Sequence, residues 1–135
     1  FDLDLAKSQT NENPVYYIQY AHARVCSVLT QWNGDESSLA QADFARLDNA
    51  HELAVAAKLG EFPELIESAA KELAPHMVAF YLKDLAACFH SYYNAERMLV
   101  DDVALKEARI ALAVAVRQVI RNGLAILGVS CPLSM

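Results

Sequence analysis

Apolar residues recur every three to four positions through most of this sequence, and nowhere do they alternate strictly with polar ones. That period belongs to amphipathic helices, not to half-buried strands. Five helices follow from it. The first is predicted from Asn13-Pro14, a capping residue followed by proline at the first helical position, to about Trp32, where Asn33-Gly34-Asp35 signals a turn. A polar connector, GDESSLAQADFA, comes next and reads as a mobile loop. The second helix is predicted from Asp48 as N-cap to Leu59-Gly60. The third opens at Pro63 and ends before Pro75, and the fourth opens at Pro75 and runs to about Arg97. The fifth begins after Asp101-Asp102, where acids suit the positive end of a helix. It continues to Asn122-Gly123, where it stops or kinks, and the tail SCPLSM is non-helical. The fifth helix, VALKEARIALAVAVRQVI, is apolar nearly all round, which suits the centre of a bundle. The predicted fold class is therefore all-α, a helical bundle of about five helices with short connections.

Turning about 100° per residue sorts each helix into faces. On the first, Ile18, Ala21, His22, Val25, Leu29 and Trp32 form the core stripe, so His22 is expected to be a packed histidine with a satisfied hydrogen bond. Tyr16, Tyr20, Ala23 and Ser27 fall opposite, flanked by Tyr17, Arg24 and Gln31. Rings beside a guanidinium make a stacking platform for nucleobases. The alternative is a surface covered by another domain. On the fourth helix Val78, Tyr81, Leu82, Leu85, Cys88, Phe89 and Tyr92 form the core stripe. The other face carries Lys83, His90, Asn94 and Arg97, bordered by Tyr93: groups that can meet phosphates and base edges, or an ordinary solvated face. On the fifth, Lys106, Arg117 and Arg121 lie within about 60° of arc, either a phosphate-facing ridge or snorkelling side chains.

Composition narrows the picture. With 135 residues, 55 % hydrophobic and 21 % charged, the chain suits one packed domain, 1–135. Its longest apolar run, residues 110–116, is far short of the roughly 20 residues that span a bilayer, so no membrane partner is expected. The acidic, polar start has no signal-peptide design and no Met, and the chain is expected to begin inside a longer protein, with residues 1–13 as a junction. Three well-separated cysteines, Cys26, Cys88 and Cys131, read as reduced thiols, which fits a cytoplasmic location. The net charge of −6 argues globally against a polyanion. However, residues 35–72 hold nine acids against three bases, which accounts for the whole deficit, while residues 76–135 hold six bases against five acids. Salt screens charges beyond about 8–10 Å, so the second half need not feel the acidic middle. Catalytic constellations are missing: no Gly-rich phosphate loop, no Cys-x-x-Cys, no His-Glu-x-x-His and no Gly-x-Ser-x-Gly. The four histidines lack metal-ligand spacing, and no catalytic residue, cofactor or metal is expected in this chain.

The run NENPVYYIQYAHAR resembles the segment with which bacterial arginyl-tRNA synthetases pass from their catalytic domain into their anticodon-binding domain. YLKDLAACFHSYYN, ARIALAVAVRQVIRNGLAILGV and the ending Pro132-x-x-Met135 match the rest of that domain in order, covering nearly the whole chain. Residues 33–47 are the least familiar part and read as a variable loop. The resemblance implies a helical bundle of the DALR type. In that family it binds the anticodon stem and loop of arginine tRNA, whose middle anticodon base is a cytosine, while the full enzyme charges that tRNA using ATP and magnesium. The Rossmann catalytic domain is absent from these residues, so this chain alone is not expected to activate arginine or bind ATP. In family terms Tyr16, Tyr17, Gln19, Tyr20, Arg24, Tyr92, Tyr93, Asn94, Arg97 and Met135 lie towards the anticodon. With Lys83, His90, Arg117 and Arg121 from the face analysis, these are the candidate RNA-binding residues. The tail departs from the family in carrying Leu133 and Ser134 where Glu-Arg is frequent, so a tail arginine has no counterpart here. Two rival readings are a helical module that docks on its own catalytic domain with little RNA affinity, and a free-standing helical regulator.

Overall fold

The computed structural model of the chain describes residues 13–135. The expected junction at residues 1–13 lies outside them apart from Asn13. Five α-helices form, and no strand occurs among the described residues: α1 Pro14–Trp32, α2 Ala50–Gly60, α3 Phe62–Lys71, α4 His76–Ala95 and α5 Val103–Ile126.

Local chemistry sets most of the ends. The Asn13 side chain accepts from the Val15 and Tyr16 amides at 3.0 and 3.5 Å, and Pro14 follows it. At the other end of α1, Asn33 takes the left-handed conformation, φ 55°, which stops the helix. The cap of α2 is Asn49, not Asp48: its side chain accepts from the Glu52 amide at 2.9 Å while Glu52 Oε1 accepts from the Asn49 amide at 3.3 Å. This reciprocal box outcompetes the neighbouring aspartate. The third helix starts one residue earlier than its proline and ends at Lys71, well before Pro75, because Leu73 turns left-handed at φ 52°. The fourth ends at Ala95, where Glu96 turns extended, so Arg97 lies beyond the helix. Asp102 caps α5, accepting from the Leu105 amide at 3.3 Å.

Gly123 does not stop α5, which runs on to Ile126. It serves close approach instead: a Cβ there would lie 2.6 Å from a Leu82 methyl of α4. The connector expected to be mobile folds into two 3₁₀ turns, Glu36–Gln41 and Phe44–Arg46. It is tied down because Leu39 is buried against Ile110 and Ala111, and because Glu36 pairs with Arg117 and Arg46 with Asp102.

Ile18, Val25, Leu82, Leu85, Phe89, Val116, Ile120 and Leu124 make the centre of the core, each fully buried. The α4 helix packs on every other helix; α5 packs on α1, α2, α4 and the connector. Centrality is thus shared between α4 and α5, since the alanines of α5 let neighbours approach on several sides.

Candidate nucleic-acid interface

The core also contains a polar network that helical periodicity gives no sign of. Glu52, 1 % exposed, accepts on Oε2 from Arg109 Nε at 2.9 Å and from the Tyr92 hydroxyl at 2.7 Å. Arg109 also donates to the Arg97 carbonyl at 2.7 Å and reaches Glu96 at 3.4 Å. Every strong polar group here has a partner, as burial demands. The network ties α2, α4 and α5 together and fixes the chain leaving α4. Burial, with the Glu52 carboxylate beside it, pushes the Tyr92 hydroxyl far above its ordinary pKa. Tyr92 is therefore a core residue, as its stripe predicted, and its ring is not offered to any ligand.

Its neighbour Tyr93 faces outward and is half-buried. The Arg24 guanidinium carbon stands 4.2 Å from the Tyr93 ring centre and 5.0 Å from that of Tyr20, so one cation links a ring from α1 and a ring from α4. Tyr16 extends the row, 6.4 Å from Tyr20. Arg24 is held from behind by His90, whose Nδ1 accepts from Arg24 Nη1 at 2.9 Å. That corrects the expectation that His90 lies on an open, phosphate-facing surface. It is buried, with Tyr17 and Tyr20 rings 4.8 and 5.5 Å away. The two tyrosines of α1 close over the position that α4 periodicity exposes. Burial, then the Arg24 charge, lowers the His90 pKa, so it remains a neutral acceptor. Tyr17 is partly buried in the same packing, and burial raises its pKa.

The carboxy-terminal tail completes the site. Gln19 Nε2 donates to the Ser130 carbonyl at 2.8 Å, so Gln19 holds the tail. His22 lies wholly buried between Pro132 O, 3.2 Å from Nδ1, and Arg121 Nε, 2.8 Å from Nε2. A donor at Nε2 and an acceptor at Nδ1 fix the neutral tautomer with its proton on Nδ1. Burial, then the Arg121 and Arg117 charges, keeps its pKa below the ordinary value. The satisfied core histidine expected from the sequence is what the structure contains. The tail then runs past α1 and closes a cavity of about 570 Å³ lined by Tyr20, Ala23, Arg24, Ser27, Thr30, Gln31, Tyr93, Leu133, Ser134 and Met135. It is open to solvent, with aromatic rings, hydroxyls, an amide and one guanidinium on its walls.

The remaining candidates divide. Lys83, Asn94 and Arg97 are exposed. Arg117 and Arg121 do not form an open ridge: Arg117 Nη2 donates to Glu36 at 2.6 Å with little of its side chain exposed, and Arg121 is engaged by His22. The connector supplies the partner of Arg117 and α1 that of Arg121. Sequence reasoning missed Thr30 as a cavity residue and missed the whole Glu52–Arg109 pair. Arg109 was legible only as a charge inside an apolar run. Among the described residues no group of three His, Cys, Asp or Glu side chains could hold a metal ion. No helix among them is long and apolar enough to cross a membrane.

Comparison with known proteins agrees with this architecture. The chain is 73 % identical over 135 residues to an arginine–tRNA ligase of Dechloromonas aromatica and 69 % identical to one of Azoarcus sp., in each case covering all of this chain and 23 % of the relative. It thus spans about a quarter of the length of these curated relatives. An arginyl-tRNA synthetase structure from Campylobacter jejuni superimposes with a TM-score of 0.89 at 27 % identity, over all of this chain and 29 % of that one. That of Thermus thermophilus gives 0.79 at 32 % identity, over 96 % of this chain and 22 % of that one. The sequence profile of the DALR anticodon binding domain matches residues 18–135. With that match over most of its length, on a five-helix bundle, the chain belongs to the DALR anticodon-binding domain family.

Proposed function

We propose that this chain is the anticodon-binding module of an arginine–tRNA ligase. It recognises the anticodon stem-loop of arginine tRNA on behalf of a catalytic domain in the same polypeptide, which carries out arginylation with ATP and magnesium. The observation that carries the reading is the cavity between α1, the end of α4 and the tail. Its Tyr20–Arg24–Tyr93 stack offers flat faces and one fixed cation, while Ser27, Thr30 and Gln31 offer hydrogen-bonding groups to a base edge. Single-stranded loops are read this way: an unstacked base inserts against aromatic or guanidinium planes and is identified at its edge. Tyr16 continues the platform outside the cavity, and exposed Lys83, Asn94 and Arg97 are available to the loop backbone. Tyr92, His90, Gln19 and Arg121 support the site from within the protein, whereas Arg117 is tied to Glu36 of the connector.

Titration with an anticodon stem-loop of arginine tRNA, and with one altered at the middle cytosine, tests the reading. The unaltered loop should bind more tightly. Tyr93→Ala should cost about 1–3 kcal/mol of binding, the usual worth of one base–aromatic stack. Equal, weak binding of both loops, unaffected by replacing Tyr16, Tyr20 and Tyr93 together, would refute it and favour a module that docks on its catalytic domain.

A further inference from the structure

The helical backbone ladder ends early at the carboxy terminus. Among the described residues the last backbone–backbone hydrogen bond is Val129 N to Leu124 O. Beyond it the tail's hydrogen bonds run to two side chains on one face of α1: Gln19 to the Ser130 carbonyl, and His22 to the Pro132 carbonyl. These are successive anchor points, one helical turn apart on α1 and two residues apart on the tail. Immediately after the second anchor, Leu133, Ser134 and Met135 line the cavity. Leu133 and Met135 are 68 % and 49 % exposed, so little burial of their own holds them there.

We infer that Gln19 and His22 are positioning residues which fix the register of the tail, and that His22 sets where Met135 sits as a wall of the proposed base cavity. The inference deepens the anticodon-binding reading and rests on it for its functional half. His22 suits the task because its two nitrogens do different work. Nδ1 donates to the tail, while Nε2 accepts from Arg121 of α5, which stops the ring rotating away. Cys26 Sγ lies 3.8 Å from Nδ1, on the same side of the ring as the tail contact.

The two roles separate by substitution. Asparagine ends at the δ position, so His22→Asn keeps a donor for Pro132 and gives up Arg121. Glutamine reaches the ε position, so His22→Gln keeps an acceptor for Arg121 and gives up the tail. The chain has three methionines, and ¹³C-methyl labelling gives each a resonance: buried Met98 reports folding and Met135 reports the tail. His22→Gln, and independently Gln19→Ala, should move the Met135 signal towards that of a free tail with Met98 unchanged. His22→Asn should leave both in place. Stem-loop affinity should fall roughly three- to tenfold in the first two variants, the scale of one lost net hydrogen bond. In a chain shortened after Pro132, His22→Gln should change affinity no further. An unmoved Met135 signal in His22→Gln and Gln19→Ala, or equal shifts in His22→Asn and His22→Gln, would overturn the inference. If the wild-type chain binds no stem-loop, the proposed function fails, while the methyl spectra still decide whether the clamp exists.

Discussion

Replacing Glu52 by alanine removes the centre of the buried network and leaves Arg109 facing an empty, dry site. Glu52 is 1 % exposed and accepts from Arg109, from Tyr92 and from the Asn49 amide at the start of α2. Breaking a buried ion pair by removing one partner costs about 3–5 kcal/mol, because the other charge stays desolvated. Arg109 keeps the Arg97 carbonyl and the partly exposed Glu96, which puts the expected loss near the lower limit, about 3 kcal/mol. Against a total domain stability of about 5–15 kcal/mol that is a large fraction. With a urea slope of about 2 kcal/mol per molar, the unfolding midpoint should fall by about 1.5 M, followed by far-UV circular dichroism. The double variant Glu52→Leu with Arg109→Met should lose much less than the sum of its single changes, since it leaves no orphaned charge and hydrophobic replacement of a whole buried pair is often neutral. The consequence reaches the interface, because the network holds Tyr92 and the Arg97 carbonyl on either side of the end of α4, where Tyr93 begins the cavity. A loss below about 1 kcal/mol for Glu52→Ala, or strict additivity in the double variant, would refute this account of the network.

Acidification should destabilise the chain through two histidines. His22 and His90 both have folded-state pKa values below the ordinary 6.5, by burial first and neighbouring arginines second. Between those depressed values and 6.5 the unfolded chain binds more protons, so stability falls as pH drops through that window and levels off below it. Urea midpoints measured across that range should show the loss, and His90→Asn, which keeps an acceptor for Arg24 without titrating, should lessen it. Gly123→Ala sets helix propensity, worth about 1 kcal/mol in favour of alanine, against overpacking on Leu82, worth about 1–3 kcal/mol. Net destabilisation is expected, and a raised melting temperature would show that Leu82 moves aside freely. Leu73, left-handed at φ 52° and 87 % exposed, gives up strain and almost no burial on change to glycine. Leu73→Gly should stabilise the chain by roughly 0.5–1 kcal/mol, read as a shift of the urea midpoint.

Sequence alone determined what depends on neighbours along the chain. The Asn13-Pro14 start of α1, the Asp102 cap of α5, the helical period and the core stripes of α1 and α4 are set by hydrogen bonds and side-chain spacing within a few residues. The pairing of tyrosines with Arg24 on one face of α1 was legible for the same reason. Where two local signals competed, as at Asp48 and Asn49, geometry chose the residue whose partner three positions on could answer it. Tertiary structure decided which polar groups are buried and with whom. Glu52 and Arg109 are 57 residues apart, and His22 meets the tail more than a hundred residues later; no period encodes such meetings. His90 reads as exposed on α4 and is covered only because α1 crosses there, bringing Tyr17 and Tyr20 onto it. The cavity likewise exists only where α1, the end of α4 and a non-helical tail converge. Helix formation is local and its pattern is written residue by residue, whereas crossing angles and tail paths follow from the packing of the whole core.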